Sequence, residues 1–325
     1  MVLALLLAAS GASTTPRADP KPKALSPPRE LRLPALPGSP LIGPPSFTPN
    51  GDRLLFARFA PDAPLSHDGR LWLVGTAAGA AAETVAVDGP NHGGDFQPAL
   101  SRDGRRIAYL AGGELWVRAA PGSSAAPREP TRLYPPKEGG APLGEGITHV
   151  SWSRDGTWLL LQSPRGWARV EVEKGELAPL TAPPLDLTGG SLVLGLDGVH
   201  AAFVRPRSGP GWQNGARIVV LNTETGRGQL ADFDNDYVEV LLLPDGQLLG
   251  EDGGGALWSL HGRQRTLYFR PPPAPSGATI GSYAVSPDAR RIAYVVTQTR
   301  GGLPFRCRLF SGVAPALPPW PKPGH

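Results

Sequence analysis

The chain has 325 residues, of which 42 are glycine and 39 are proline. Helix-breaking residues at this frequency exclude a protein of long helices and predict short elements joined by many turns. The hydrophobic share of 40% is large enough to form a buried core, which excludes global disorder. The net charge of +4 arises from arginines scattered without a basic run, so we expect no nucleic-acid partner. Cys307 is the single cysteine, which excludes an internal disulfide and a zinc site that needs several cysteines.

Residues 1–13 have the pattern of a secretory signal peptide, because an apolar run from Val2 to Ala9 is followed by small residues. This run is too short to cross a bilayer, so we expect no integral membrane span. The pattern predicts a periplasmic or secreted protein after cleavage. Residues 14–38 are rich in proline and predict an extended linker, within which the alternation Leu31-Arg32-Leu33 predicts a lone strand.

A repeated phrase organises the rest of the chain. In its clearest copy, residues 98–110, two apolar runs flank the polar pair Asp103-Gly104, which is the pattern of a β-hairpin. The copies follow one another at intervals of about 48 residues, which is typical of propeller blades built from several short strands. Their turn residues lie at positions 50, 103, 155, 197, 245 and 288.

This period predicts an all-β fold: a six-bladed β-propeller of four-stranded antiparallel blades that occupies residues 39–325 as a single domain. Leucine-tryptophan pairs at Leu71-Trp72, Leu115-Trp116 and Leu257-Trp258 mark the third strand of a blade, and we expect these tryptophans to pack between blades. The sixth unit lacks an outer strand. We therefore expect an amino-terminal strand near residues 30–34 to supply it and to close the ring.

Two copies of the phrase carry a family resemblance. Residues 101–109 read Ser-Arg-Asp-Gly-Arg-Arg-Ile-Ala-Tyr and residues 286–294 read Ser-Pro-Asp-Ala-Arg-Arg-Ile-Ala-Tyr. Both resemble the blade phrase of the TolB-like propeller family, a relative of the WD-type repeat. The resemblance implies a six-bladed propeller that is often periplasmic and often a scaffold for protein interactions. TolB itself has an α/β domain before its propeller, whereas this chain has the proline-rich stretch there.

In three units, more residues separate the turn from the third strand than in the others. These extra residues enlarge the loops at residues 59–68, 205–215 and 298–306. In antiparallel blades these loops lie on the face where each innermost strand begins, at the mouth of the central channel. Long loops on one face of a repeat ring are typical of a binding surface, and the alternative is that they are ordinary solvated loops. The residues that we expect to bind a partner are His67, Asp95, Gln97, His149, Arg205, Arg207, Trp212, Asp236, Tyr237, Tyr283, Arg300 and Phe305.

The sequence contains no nucleophile elbow, phosphate-binding loop or His-Glu-x-x-His motif, and it predicts no catalytic residue. We therefore expect an exported, non-enzymatic propeller that binds a protein or peptide of the cell envelope, as a monomer or within a hetero-complex. The alternative is a propeller enzyme, of lyase or lactonase/hydrolase type, with a metal site at the channel mouth. Asp232, Asp234 and Asp236 alternate and could hold Ca²⁺, but the segment lacks the later glycine and glutamate of an EF-hand loop, which favours a plain blade-entry turn.

Overall fold

A computed structural model describes most of the predicted propeller. The residues described are 26–34, 41–59, 70–85, 98–111, 114–120, 130–134, 147, 149–153, 155–163, 166–179, 192–194, 200–206, 216–222, 227–231, 235–243, 247–261, 264–300 and 303–316. The predicted signal peptide, residues 1–13, and most of the predicted linker lie outside them. Within this part of the chain, no helix is long and apolar enough to cross a membrane.

The described residues form short β-strands. In chain order they are β1 (Arg29–Glu30), β2 (Leu41–Ile42), β3 (Ser46–Phe47), β4 (Arg53–Phe59), β5 (Arg70–Gly75), β6 (Ala82–Val85), β7 (Ala99–Leu100), β8 (Arg106–Ala111), β9 (Glu114–Ala119), β10 (Thr131–Tyr134), β11 (His149–Trp152), β12 (Trp158–Ser163) and β13 (Gly166–Glu171). They continue as β14 (Leu177–Pro179), β15 (Leu192–Leu194), β16 (His200–Pro206), β17 (Ala216–Asn222), β18 (Gly228–Leu230), β19 (Glu239–Leu242), β20 (Leu248–Glu251), β21 (Leu257–His261), β22 (Gln264–Phe269), β23 (Ala278–Val285), β24 (Arg291–Arg300) and β25 (Leu303–Val313).

These strands build six antiparallel sheets, which confirms the predicted six-bladed propeller. Blade 1 has the order β2-β4-β5-β6, with β3 also paired to β4, so its innermost strand is split. Blades 2 to 5 each take four consecutive strands, β7–β10, β11–β14, β15–β18 and β19–β22. Blade 6 has the order β23-β24-β25-β1. Each innermost strand contacts the next around the ring, and β23 of blade 6 contacts β3 of blade 1.

The ring is closed by the amino-terminal strand, as the missing outer strand of the sixth unit predicted. Strand β1 pairs with β25 through Arg29 opposite Ser311 and Glu30 opposite Phe310. The amide of Leu31 extends this pairing by donating to the carbonyl of residue 309 at 2.8 Å. Leu31 is buried among apolar side chains of blades 6 and 1, so closure adds packing to hydrogen bonding.

The repeated phrase forms the same turn in each described copy. In blade 2 the amide of Gly104 donates to the carbonyl of Ser101, and Gly104 has φ +69°. The hydroxyl of Ser101 donates to Asp103 at 2.7 Å and accepts from the amide of Arg106 at 2.9 Å. Residues 153–158 and 286–291 repeat these bonds. The positive φ explains the glycine, because side chains with a Cβ rarely adopt it.

The turn carboxylates are held in their charged form. Burial by itself would raise the pKa of Asp103, but hydrogen bonds from Ser101 and from the Arg105 amide outweigh it and lower that pKa below its ordinary value. At Asp155 the hydrogen bond from Ser153 is the main cause of a lowered pKa. These groups stabilise the fold at neutral pH, and the contribution is lost as the pH falls below about 4.

Apolar side chains are buried between adjacent blades, and the tryptophans of the third strands contribute to these interfaces. Trp72 is buried between blades 1 and 6, and Trp167 lies between blades 3 and 4 with its ring 5.0 Å from that of Phe203. Trp116 and Trp258 are half-buried against similar clusters. The prediction that these tryptophans pack between blades is confirmed.

Candidate functional site

The two faces of the ring differ in what they carry. We call the face where each innermost strand begins the front face, and the opposite face, with the repeated turns, the turn face. In blade 5, Glu239 at the start of β19, Glu251 at the end of β20 and Leu257 at the start of β21 stand side by side on the front face. The candidate binding residues from the sequence were assigned to this face.

Several of those candidates lie outside the described residues. These are His67, Asp95, Gln97, Arg207 and Trp212. His149 begins β11 opposite Gln162, and Arg205 lies near the end of β16 opposite Arg217, so both positions are at the front-face ends of their strands. Their role in binding stays a prediction.

Tyr237 and Tyr283 are buried side chains that support the channel mouth from within. Tyr237 packs beside Gly250, where a Cβ atom would lie only 2.5 Å from the Tyr237 ring. The hydroxyl of Tyr283 donates to the carbonyl of Gly255 at 2.5 Å, and its ring lies 5.7 Å from that of Tyr294. Both tyrosines therefore hold neighbouring strands and blades together at this face.

Arg300 and Phe305 lie on a hairpin that extends beyond the rest of blade 6. The sequence predicted an enlarged loop over residues 298–306, and this was wrong, because the residues continue β24 and β25 as paired strands. Gln298 pairs with Arg306 and Arg300 with Leu303. Thr297 and Thr299 are β-branched and favour a strand, which agrees with a lengthened hairpin at this place.

Near its tip this hairpin exposes an apolar ring and two cationic side chains. Phe305 is 42% exposed, and Arg300 and Arg306 are exposed as well. Beneath them Cys307 is half-buried, with its sulfur 3.4 Å from the hydroxyl of Thr297. Exposed aromatic and arginine side chains on one element have the composition found at the centre of protein interfaces.

A pair of glutamates at the channel mouth was missed by the sequence reasoning. Glu239 and Glu251 are direct cross-strand partners, and their strand neighbours Leu241 and Leu249 pack toward blade 6. Glu251 is 1% exposed, whereas Glu239 is half-buried. Like charges placed opposite each other on a sheet repel, so their environment must compensate for that repulsion.

Backbone amides provide that compensation. Both carboxylate oxygens of Glu239 lie 3.2 Å from the amide nitrogen of Tyr283, and the amide of Ser282 donates to the same carboxylate. These two amides are free to do so because β23 has a bulge at this point, with Ser282 at φ +52°. The carboxylate of Glu251 accepts from the amide of Gly255 at 2.7 Å.

Both carboxyl groups titrate near neutral pH. Although Glu239 as a whole is half-buried, its carboxylate is enclosed by protein. The loss of solvation, together with the charge of Glu251, raises the pKa of Glu239 to about 8. Desolvation and the charge of Asp252 raise the pKa of Glu251 to about 7. No lysine or arginine of the described residues forms an ion pair with either glutamate.

The residues described contain no group of three side chains that could hold a metal ion. Of the predicted Ca²⁺ ligands, Asp232 and Asp234 lie outside the described residues, and Asp236 is half-buried just before β19. The calcium site stays a prediction.

One signal in the sequence could have revealed the glutamate pair. Glu239 and Glu251 lie at equal distances on either side of Asp245, the residue of the fifth turn. Residues placed symmetrically about a hairpin turn become cross-strand partners. A charged residue at such a position within apolar strands indicates a buried pair, but the bulge that supplies its hydrogen bonds lies in another blade.

No family model and no curated protein matches the sequence. Among solved structures, the chain is similar to TolB from Acinetobacter baumannii, with 15% identity over 85% of this chain and 54% of that chain and a TM-score of 0.46. It is also similar to an oligogalacturonate lyase in complex with manganese, with 16% identity over 83% of this chain and 88% of that chain and a TM-score of 0.50. A chain of the mitotic checkpoint complex has 15% identity over 95% of this chain and 98% of that chain, with a TM-score of 0.52.

This chain spans about half the length of the TolB chain. The likeness to the lyase and to the checkpoint-complex chain, with TM-scores of 0.50 and 0.52, agrees with the propeller that the strands form. At these identities the likeness shows the propeller fold alone. The function has to be argued from the residues at the front face.

Proposed function

We propose that the protein is an exported β-propeller that binds a protein or peptide of the cell envelope on its front face. The observation that carries the proposal is the extended hairpin of β24 and β25, which exposes Phe305, Arg300 and Arg306 at that face. The strands that occupy the same places in blade 5, β20 and β21, have four and five residues, whereas β24 and β25 have ten and eleven. The proposed export rests on the apolar pattern of residues 1–13.

The chemistry of the hairpin suits a polypeptide partner. Phe305 offers apolar area with little conformational entropy to lose, and Arg300 and Arg306 can form two-point hydrogen bonds with carboxylates. The hairpin is braced by the long pairing between β24 and β25, so it presents these groups on a rigid element. A partner segment with an apolar side chain beside acidic ones would fit this surface.

Site-specific cross-linking tests the proposal directly. A photoreactive phenylalanine analogue at position 305 should form adducts with a defined partner in cells. The control places the same group at Leu267, which is 45% exposed on the outer strand of blade 5. Adducts at 305 that are absent at 267 would support the proposal. Equal labelling at both positions, or none at 305, would contradict it.

Charge reversal gives a second test. Arg300→Glu combined with Arg306→Glu should abolish the adduct at position 305, because the acidic part of the partner would be repelled. The matched control is Arg265→Glu, which removes another exposed arginine, one that stacks 4.1 Å above the Trp258 ring in blade 5. Adducts that survive the double charge reversal would argue against a cationic docking surface.

One observation favours an enzyme as a second candidate function. The paired carboxyl groups of Glu239 and Glu251 have pKa values near neutrality at the channel mouth, where they could transfer protons. A propeller lyase or hydrolase with a metal at this mouth would use them. Metal analysis of the purified protein tests this idea: stoichiometric metal that is lost in Glu239→Gln would support it, and protein without metal would count against it.

A further inference from the structure

An arginine recurs at the first residue of the second strand in three blades. Arg53, Arg106 and Arg291 occupy this position in blades 1, 2 and 6. The backbone N–H group of each arginine donates a hydrogen bond to the side-chain hydroxyl of the residue that begins its turn. The nitrogen-to-oxygen distances are 3.1, 2.9 and 2.9 Å. The three side chains therefore start from equivalent places on the turn face, and their surroundings can be compared directly.

Two of these arginines are neutralised by glutamate. The Nη2 atom of Arg53 lies 2.6 Å from a carboxylate oxygen of Glu83. The Nη2 atom of Arg106 lies 2.5 Å from a carboxylate oxygen of Glu173, which belongs to the turn between the third and fourth strands of the following blade. At this position the repeat thus pairs the cation with an acid.

Arg291 has no such acid among the residues that the structure describes. Its Nη1 atom donates to the hydroxyl of Thr76, which lies in the turn between the third and fourth strands of blade 1. The equivalent turn of blade 3 supplies Glu173 at the junction of blades 2 and 3. A threonine therefore stands in the segment that elsewhere provides the counter-charge, and it accepts a hydrogen bond without neutralising the guanidinium.

The closing strand brings a second guanidinium to the same threonine. The Nη2 group of Arg29 donates a hydrogen bond to the backbone carbonyl of Thr76. Thr76 is 3% exposed and is held in place by its amide and its hydroxyl, which both donate to the carbonyl of Asp52, at 2.7 and 2.9 Å. Within the described residues neither Arg29 nor Arg291 has a carboxylate partner.

The two arginines line an open cavity on the turn face. It has a volume of about 520 Å³, and Arg290, Asn50 and Ser311 also line it. Among the described residues of its wall the one acid is Asp288, which accepts from the hydroxyl of Ser286 and the amide of Arg290 and lies 4.0 Å from the Arg290 side chain. The cavity therefore keeps an excess of positive charge, together with neutral hydrogen-bonding groups.

We propose that this cavity, at the junction of blades 6 and 1, binds the phosphate group of a small molecule or a lipid headgroup. A guanidinium offers five N–H donors in a fixed fork, and one donor of each arginine is used on Thr76. The remaining donors of two convergent forks suit a tetrahedral oxyanion. The site is on the opposite face from the proposed partner surface and does not depend on that function.

Titration with phosphate compounds tests the assignment. Inorganic phosphate and glycerol 3-phosphate should bind saturably at low ionic strength in a chloride buffer, and the affinity should fall as salt is added. Arg291→Gln and Arg29→Gln should each weaken binding by at least about tenfold, because they keep a donor for Thr76 but remove a charge. The matched control is Arg106→Gln, at the neutralised position of blade 2, which should leave the affinity within about twofold.

A parallel measurement distinguishes the two sources of the phosphate group. Co-sedimentation with phosphatidylglycerol vesicles that depends on Arg29 and Arg291 would assign a lipid headgroup, and binding of the soluble probes alone would assign a free small molecule. Thermal midpoints of the ligand-free variants show whether each is folded. The proposal is overturned if neither kind of probe binds saturably, or if Arg106→Gln weakens binding as much as Arg291→Gln does.

Discussion

Blades 2 and 6 carry nearly the same phrase and use it in different surroundings. Their turns share the serine, the aspartate and the hydrogen bonds, with Gly104 at φ +69° in blade 2 and Ala289 at φ +55° in blade 6. Blade 2 is formed by four consecutive strands, whereas blade 6 takes its outer strand from residues 29–30. The local turn is thus independent of how its blade is assembled.

The difference between the two blades lies in their contacts. Arg106 of blade 2 is neutralised by Glu173, while Arg291 of blade 6 meets Thr76 beside Arg29. Blade 6 also has the bulge that binds Glu239 and the extended hairpin with Phe305. Both the site that we propose on the front face and the one on the turn face lie where blade 6 departs from the repeat.

The largest expected effect separates the closure of blade 6 from the self-contained blades. Removing residues 1–33 deletes β1 and Leu31, so β25 gains a free edge and the interface between blades 6 and 1 loses a buried leucine. A buried leucine alone is worth about 2–5 kcal/mol, and we expect the thermal midpoint to fall by roughly 10 °C or more. Removing only residues 1–25 is the control and should leave the midpoint unchanged. Equal midpoints for the two truncated variants would disprove closure by β1.

The second prediction concerns the turn of blade 2. Gly104→Ala should destabilise the fold by about 2–4 kcal/mol, because the residue has a positive φ and its Cβ would lie 2.5 Å from Pro49. Gly156→Ala in blade 3 has a similar φ of +71° with no atom within 4 Å, so it should cost only about 1 kcal/mol. Chemical denaturation of both variants measures the contribution of the contact with Pro49. Equal losses would mean that this contact is unimportant.

The third prediction is a pH dependence at the junction of blades 5 and 6. The folded-state pKa values of Glu239 and Glu251, about 8 and about 7, lie above the ordinary value of 4.5. The folded protein therefore binds more protons than the unfolded chain. The stability from these groups is fully present below about pH 4.5 and is lost as the pH rises through 7 and 8.

Glu251→Gln should remove part of this loss. We compare the unfolding free energy of the variant with that of the wild type at each pH. From pH 5 to pH 8.5 this difference should shift by about 1–3 kcal/mol in favour of the variant, since one pKa unit corresponds to about 1.4 kcal/mol. Denaturant titrations at the two pH values measure the difference. Glu176→Gln, at an exposed position outside the pair, should keep the wild-type trend. A pH-independent difference for Glu251→Gln would show that Glu251 does not titrate in this range.

The smallest expected effect returns to the turn of blade 6. Ala289 has φ +55°, a conformation that glycine adopts more easily. Ala289→Gly should therefore raise the unfolding free energy by about 0.5–1 kcal/mol and make this turn equivalent to that of blade 2. A decrease in stability would indicate that the alanine side chain makes a contact worth more than the backbone strain.

The alternating phrase and its spacing were enough to predict the blades, their strand order and the strand that closes the ring. Turn chemistry is local, because Ser101, Asp103 and Gly104 satisfy one another within a few residues. Hydrophobic alternation assigns one face of each strand to the neighbouring blade. Strand closure was predictable because an unpaired outer edge of the sixth unit needs a partner.

The candidate sites were only partly predictable, because they depend on contacts between distant segments. The bulge at Ser282 provides amides for Glu239 across a blade boundary, and Thr76 meets Arg29 and Arg291 from opposite ends of the chain. The sequence by itself therefore determined the period, the turns and the number of blades. Only the tertiary structure decided which charges are neutralised and which remain, since that depends on the residue that the next blade places opposite them.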